Sequence, residues 1–102
     1  MIKHIVFFKL KDEAHGNPKE VNARLIKQKL EALRGLVPGM LSLEVGIDFS
    51  RVETSADLAL YSEFDTRAAL DAYMNHPAHL AVLPFIAEAR TERRVADYEM
   101  GD

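Results

Sequence analysis

Three side chains in the segment LDAYMNHPAHLA, Leu70 to Ala81, join a ring to a hydrogen-bonding group: Tyr73, His76 and His79. Two of the chain's four histidines fall in it. Such residues suit acid–base chemistry, in which a neutral imidazole takes a proton while a phenol polarises an oxygen, given contact at about 3 Å. His79 follows Pro77 by two positions, in the expected first turn of a helix. The positive end of the helix dipole there disfavours imidazolium and keeps the ring a base at about pH 7. His79 equally suits bridging backbone groups around the Pro77 turn. Tyr73, on the buried stripe of its helix, equally suits a core position with its hydroxyl satisfied. His76 is expected to be structural, together with Pro77, fixing the turn between two helices. His4, in mid-strand, suits a ligand pocket or a satisfied interior site, and His15 falls in a polar loop.

The composition narrows the classes of chemistry. At 102 residues the chain makes one domain, spanning 1–102, with a single core. The absence of cysteine excludes disulfides, thiolate metal sites and a cysteine nucleophile. A net charge of -3 with both signs interspersed gives no footprint for nucleic acid or an anionic membrane, and no segment approaches transmembrane length. A cytoplasmic location is the default expectation. His76 and His79 with His4 and Glu44 or Glu63 could complete a metal site, but an HxxH spacing is weak and Pro77 displaces it from helical geometry, so no metal is expected. Arg90, Arg93 and Arg94 are offset by Glu88, Glu92, Asp97 and Glu99 and suit a charged surface or an intersubunit seam.

The elements that position these residues follow from periodicity. Ile2 to Leu10 is β-branched and aromatic-rich with apolar residues on both parities, a central strand covered on both faces. Asn17, Pro18 and Glu20 form a helix start with Asn17 as cap. Ala23, Ile26, Leu30, Leu33 and Val37 then make one stripe, stopped by Gly35 and Pro38-Gly39. Leu41, Leu43, Val45 and Ile47 alternate with polar residues, as do Leu58, Leu60 and Phe64 after a polar loop, giving two strands expected to lie antiparallel. Asp65 can cap a helix with Ala69, Leu70, Tyr73 and Met74 inward, ending before Pro77. Pro77 opens a further helix with Leu80, Leu83, Ile86 and Ala87 inward and a kink or break at Pro84. Thr91 to Tyr98 is the last strand and an edge.

The order βαββαβ with right-handed crossovers is an α+β, ferredoxin-like arrangement, with helices on one face of a four-stranded antiparallel sheet. The other face has no cover within the chain. Val6 and Phe8 are assigned to it, and removing them from water is worth about 3–5 kcal/mol. That favours a homodimer packed through open sheet faces. A partly polar cavity between the sheets would account for His4, Glu44, Glu63 and Tyr61 there, the plainer alternative being a solvated face.

The chain resembles the stress-responsive dimeric α/β-barrel (Dabb) family through HIVFFKLK at 4–11, LVPGMLSLEVG at 36–46, DLALYSEFD at 57–65, ALDAYMNHPAHLAVL at 69–83 and VADYE at 95–99. The resemblance implies a ferredoxin-like protomer forming a dimeric α/β barrel. It includes a plant polyketide (olivetolic acid) cyclase, which closes a poly-β-keto thioester by aldol condensation without metal or organic cofactor. The tyrosine and second histidine of that enzyme's YxxHPxH pattern match Tyr73 and His79, and its strand-one histidine matches His4. A further pocket tyrosine aligns with Leu30, a departure from the cyclase pocket, and Ala59 and Gly46 are small residues near the expected cavity. The resemblance thus implies catalysis by His79 and Tyr73 in a pocket of His4, Val6, Phe8, Glu44 and Tyr61. A small hydrophobic or carbonyl ligand is implied, with no cofactor. Two alternatives remain open: a noncatalytic stress-response protein, and a monooxygenase-like member of the related dimeric barrels.

Overall fold

Ile2–Leu10 forms β1 in the computed structural model, which describes residues 1–101. Two short strands follow, β2 (Glu13–Ala14) and β3 (Asn17–Pro18), and then α1 (Lys19–Glu31), β4 (Met40–Ile47) and β5 (Leu58–Phe64). The chain continues through α2 (Arg67–Met74), α3 (Pro77–Ala89) and β6 (Arg90–Glu99). The main sheet runs β4-β5-β1-β6, with every pair antiparallel. This is the ferredoxin-like α+β fold expected from the sequence. Among the described residues no helix is long and apolar enough to cross a membrane.

The expected dimeric α/β barrel is corrected by this sheet, which is open: β4 and β6 lie at its two ends, and each has one neighbour. Closure would require outer strands with free ladder groups, and on β4 the Leu43 and Val45 groups are already engaged by side chains of α1 and of the turn after it. Arg34 Nε donates to the Leu43 carbonyl at 2.9 Å, the Val45 N–H donates to Glu31 Oε2 at 3.2 Å, and Lys27 Nζ donates to the Val45 carbonyl. Side chains that cover an edge in this way keep it from pairing further.

The covered face of β1 also differs from expectation. Val6 and Phe8 are 2% and 5% exposed, packed beneath the helices, while Phe7 is 45% exposed on the open face. Because β1 is apolar on both parities, alternation alone cannot choose between its faces. Register decides: Ile2, Val6 and Phe8 lie opposite Phe64, Leu60 and Leu58 of β5, and residues directly opposite share a face. Ala59 and Gly46, paired with each other, fall on the open face away from the helices.

Local differences have local causes. His15 and Gly16 both have positive φ, which closes the tight β2–β3 hairpin, so Asn17 is drawn into a strand and α1 begins one residue after Pro18 without a side-chain cap. Thr66 rather than Asp65 caps α2, its hydroxyl accepting from the Ala69 N–H at 3.1 Å. A register shift between Met40 and Ser42 turns Leu41 outward, to 53% exposure. Helix α3 runs through Pro84 without a break, and Leu80 and Leu83 are exposed rather than inward.

Gly39 joins α1 to β4 at φ +90°, and an added Cβ would lie 2.8 Å from the Ala69 Cβ and 2.4 Å from Asp65 Oδ1. The Asp65 carboxyl can swing away, but the Ala69 methyl sits on a fixed helix. Gly39→Ala is therefore expected to destabilise the fold by about 2–4 kcal/mol, from left-handed backbone strain plus overpacking. Urea denaturation measures it; a loss below about 0.5 kcal/mol would contradict this close approach.

Candidate functional site

The break between α2 and α3 places the candidate residues. Asn75 ends α2, and His76 occupies the cap of α3 with Nδ1 accepting from the Ala78 N–H at 3.0 Å, while Pro77 takes the first turn. A proline there lacks only an N–H that the helix would leave unpaired. His76 and Pro77 thus make the turn expected of them. The turn sets the His79 ring 4.6 Å from that of Tyr73, which in turn packs 5.4 Å from Phe64.

His79 is buried, and its Nδ1 lies 3.0 Å from the Met74 carbonyl. A carbonyl only accepts, so Nδ1 carries the proton, and Nε2 of the neutral ring keeps its lone pair for a ligand. Burial holds the imidazole below the ordinary value of 6.5; the nearby His4 ring and Arg93 guanidinium add to this, and the Met74 carbonyl opposes it. Tyr73 is 1% exposed, and burial pushes its phenol up to about 12, so it stays protonated and serves as a donor. Its hydroxyl has no hydrogen-bond partner among the described residues. Leaving such a group unpaired costs about 1–3 kcal/mol.

Both side chains border a cavity of about 370 Å³ between the helices and the sheet, lined also by His4, Val6, Phe8, Leu30, Leu60, Ile86, Arg90 and Arg93. It lies on the helix-covered side of the sheet and is bordered by residues of a single chain, whereas the chamber expected from the sequence lies between two facing sheets. His4, Val6 and Phe8 come together with Tyr73 and His79. Glu44 and Tyr61, which pair across β4 and β5, do not: Glu44 is exposed on the open face, and Tyr61 donates to Glu63 at 2.5 Å beside Lys3. Strand alternation puts them behind the sheet from His4. Glu44 and Glu63 therefore lie away from the histidines. Leu30 borders the cavity with an apolar side chain.

Asp97 is a site residue that sequence reasoning missed. Its carboxylate accepts from His4 Nδ1 at 2.5 Å, which fixes the His4 tautomer and leaves Nε2 as that ring's remaining nitrogen. The contact depends on the register of β6 against β1, where Asp97 lies opposite His4. No local pattern in the last strand marks it, and alternation there would have found it only once the pairing partner was known.

Residues 2–100 match the family described as the Stress responsive A/B Barrel Domain, or Dabb. An uncharacterised protein of Streptomyces coelicolor is 33% identical over 99 residues, covering 97% of this chain and 99% of its own length. A dimeric protein of unknown function with a ferredoxin-like fold, from Bacteroides fragilis, superposes with a TM-score of 0.84 at 36% identity, covering 97% of this chain and 95% of that one. A hydroxynitrile lyase from Passiflora edulis gives a TM-score of 0.80 at 19% identity over 99% of this chain and 94% of its own, a likeness of fold alone. With nearly its whole length matched to that one domain description, the chain belongs to the stress-responsive A/B barrel (Dabb) family.

Proposed function

We propose that the protein binds a small molecule under the α2–α3 turn and acts there as an acid–base enzyme on an enolisable carbonyl, polyketide-like compound. The observation that carries this is the buried, unpartnered Tyr73 hydroxyl beside His79, whose Nε2 is left free by the Met74 hydrogen bond. In the reaction, His79 Nε2 removes a proton from the carbon between two carbonyls, and the C–H electron pair becomes an enolate. Tyr73 donates a hydrogen bond to a second carbonyl oxygen. The enolate carbon bonds to that carbonyl's carbon, and the imidazolium returns the proton to the resulting alkoxide. Atoms and charge balance without any change of oxidation state. The apolar lining from Val6, Phe8, Leu30, Leu60 and Ile86 suits a hydrocarbon body.

The test is turnover of a panel of β-dicarbonyl and poly-β-keto compounds by the wild type, Tyr73→Phe and His79→Ala. Equal product formation by all three would end the assignment. Stability separates the roles further. Because the hydroxyl is unpaired, Tyr73→Phe is expected to raise the unfolding free energy by about 1 kcal/mol while it lowers turnover. A loss of stability instead would mark the hydroxyl as structural.

The reading includes a homodimer. The Bacteroides fragilis protein is described as dimeric, and the uncovered sheet face here presents Ile5, Phe7, Ala59, Ala96 and Tyr98, with Phe7 and Tyr98 well exposed. Burial of these against a second copy accounts for them. Sedimentation is expected to give a dimer for the wild type and a monomer for Phe7→Glu; a wild type that stays monomeric at micromolar concentration would contradict it.

A further inference from the structure

The Tyr73–His79 cavity is unusual in its charge. Among the residues bordering it are two arginines, Arg90 and Arg93, and not one carboxylate. Asp97 is turned to His4, and Glu92 sits with Arg94 at 3.3 Å. The groove between α1 and the loop after β4 is different, mixing Lys9, Lys19, Arg24 and Arg51 with Glu20, Asp48, Glu53 and Asp57. Of the arginines outside this cavity, Arg34, Arg51, Arg67 and Arg94 each lie at ion-pair distance from a carboxylate, and Arg24, without such a pair among the described residues, borders the mixed-charge groove instead. Neither Arg90 nor Arg93 has such a partner among the described residues.

Strand register explains how Arg93 comes to be there. It lies opposite Phe8 of β1 and so shares the helix-covered face with Phe8, Val6 and His4. β6 is an outer strand of the sheet, and Arg93 is exposed there while it borders the cavity. Uncompensated cations beside a low-dielectric wall attract an anion more strongly than the same groups in water would.

We infer that the molecule bound beside Tyr73 and His79 carries an anionic oxygen group, a carboxylate or a phosphate monoester, on an apolar body, and that Arg93 binds it. This rests on the cavity being the ligand site proposed above and adds the class of ligand. A guanidinium pairs with either oxyanion through two parallel N–H donors, a geometry a neutral amide cannot reproduce. The field of Arg93 also reaches His79, where it opposes imidazolium, so the group that would anchor the anion favours the neutral base as well.

Calorimetric titration of the full chain at low salt with octanoate, octyl phosphate and octanamide tests the inference without needing turnover. At least one anion is expected to bind the wild type about tenfold more tightly than octanamide, as a charged hydrogen-bonded pair at a partly exposed site allows. Which anion is preferred identifies the headgroup. The preference is expected to vanish in Arg93→Gln, return in Arg93→Lys and survive in Arg24→Gln, which removes an arginine outside the cavity, with melting temperature confirming that each variant is folded. Equal binding of all three probes, failure of both anions to bind, or a preference unchanged in Arg93→Gln would overturn the inference. An anion preference lost with Arg93, in a protein whose Tyr73→Phe and His79→Ala variants turn over β-dicarbonyls like the wild type, would remove the catalytic reading alone. The reverse pattern would remove only the ligand class.

Discussion

His79→Gln is expected to lower turnover of an accepted β-dicarbonyl by about 10²- to 10⁴-fold, the range for loss of a positioned base. Glutamine retains an amide N–H that can reach toward the Met74 carbonyl, now 3.0 Å from the imidazole Nδ1, but it has no basic nitrogen. The substitution therefore separates proton transfer from turn geometry. Its pH dependence has a defined sign. The folded-state value lies below the unfolded value of 6.5, so the neutral ring predominates in the native protein at about pH 7. Rate is expected to fall on the acid side through an apparent value below 6.5 and to level off above it. Stability follows the same direction: the unfolded chain takes up the proton first, so the contribution from His79 is present above 6.5 and is lost as pH falls through the folded value. In His79→Gln that acid-side slope in melting temperature is expected to shrink. A rate within about threefold of wild type, or an acid-side slope unaltered by the substitution, would exclude His79 as the titrating base.

The largest expected stability effect belongs to Phe64→Ala. Phe64 ends β5 fully buried, and its ring packs at 5.4 Å from the Tyr73 ring. Removing it leaves a cavity among side chains of β1, β5 and α2 that are tied to a hydrogen-bonded frame and cannot collapse far. The expected cost is about 3–5 kcal/mol, a large part of the stability of a domain this size. Urea unfolding measures it directly. A cost below about 1 kcal/mol would mean that the wall behind Tyr73 is not close-packed.

How much of this was legible from the residues depends on the range of the cause. Of the expected stripe, Ala23, Ile26 and Leu30 are buried on α1 as the 3.6-residue period implies, while Leu33 and Val37 are buried in the turn beyond its end at Glu31; Leu43, Val45, Leu58, Leu60 and Phe64 are buried on their strands. The HPxH turn was equally readable, because Pro77 restricts its neighbours and His76 caps from beside it. Tyr73, His79 and His4 border one cavity. Grouping Glu44 and Tyr61 with them requires a chamber on the open face, where both residues lie. The sequence reads Arg93 as part of a charged surface or an intersubunit seam; it is exposed, and that it also borders the cavity follows from its register opposite Phe8, which strand sequence alone does not show.

By itself the sequence determined the kinds of element, their order and the turn that presents Tyr73 and His79, since periodicity, capping and proline geometry act over a few residues. Only the tertiary structure decided which face of β1 the helices cover, because that strand is apolar on both sides and its burial follows from pairing with β5, 56 residues further along from Ile2 to Leu58. The same long-range register brought Asp97 to His4 and Arg93 to Phe8. It also left the sheet open, with the outer edge of β4 held by side chains of α1 and of the turn after it.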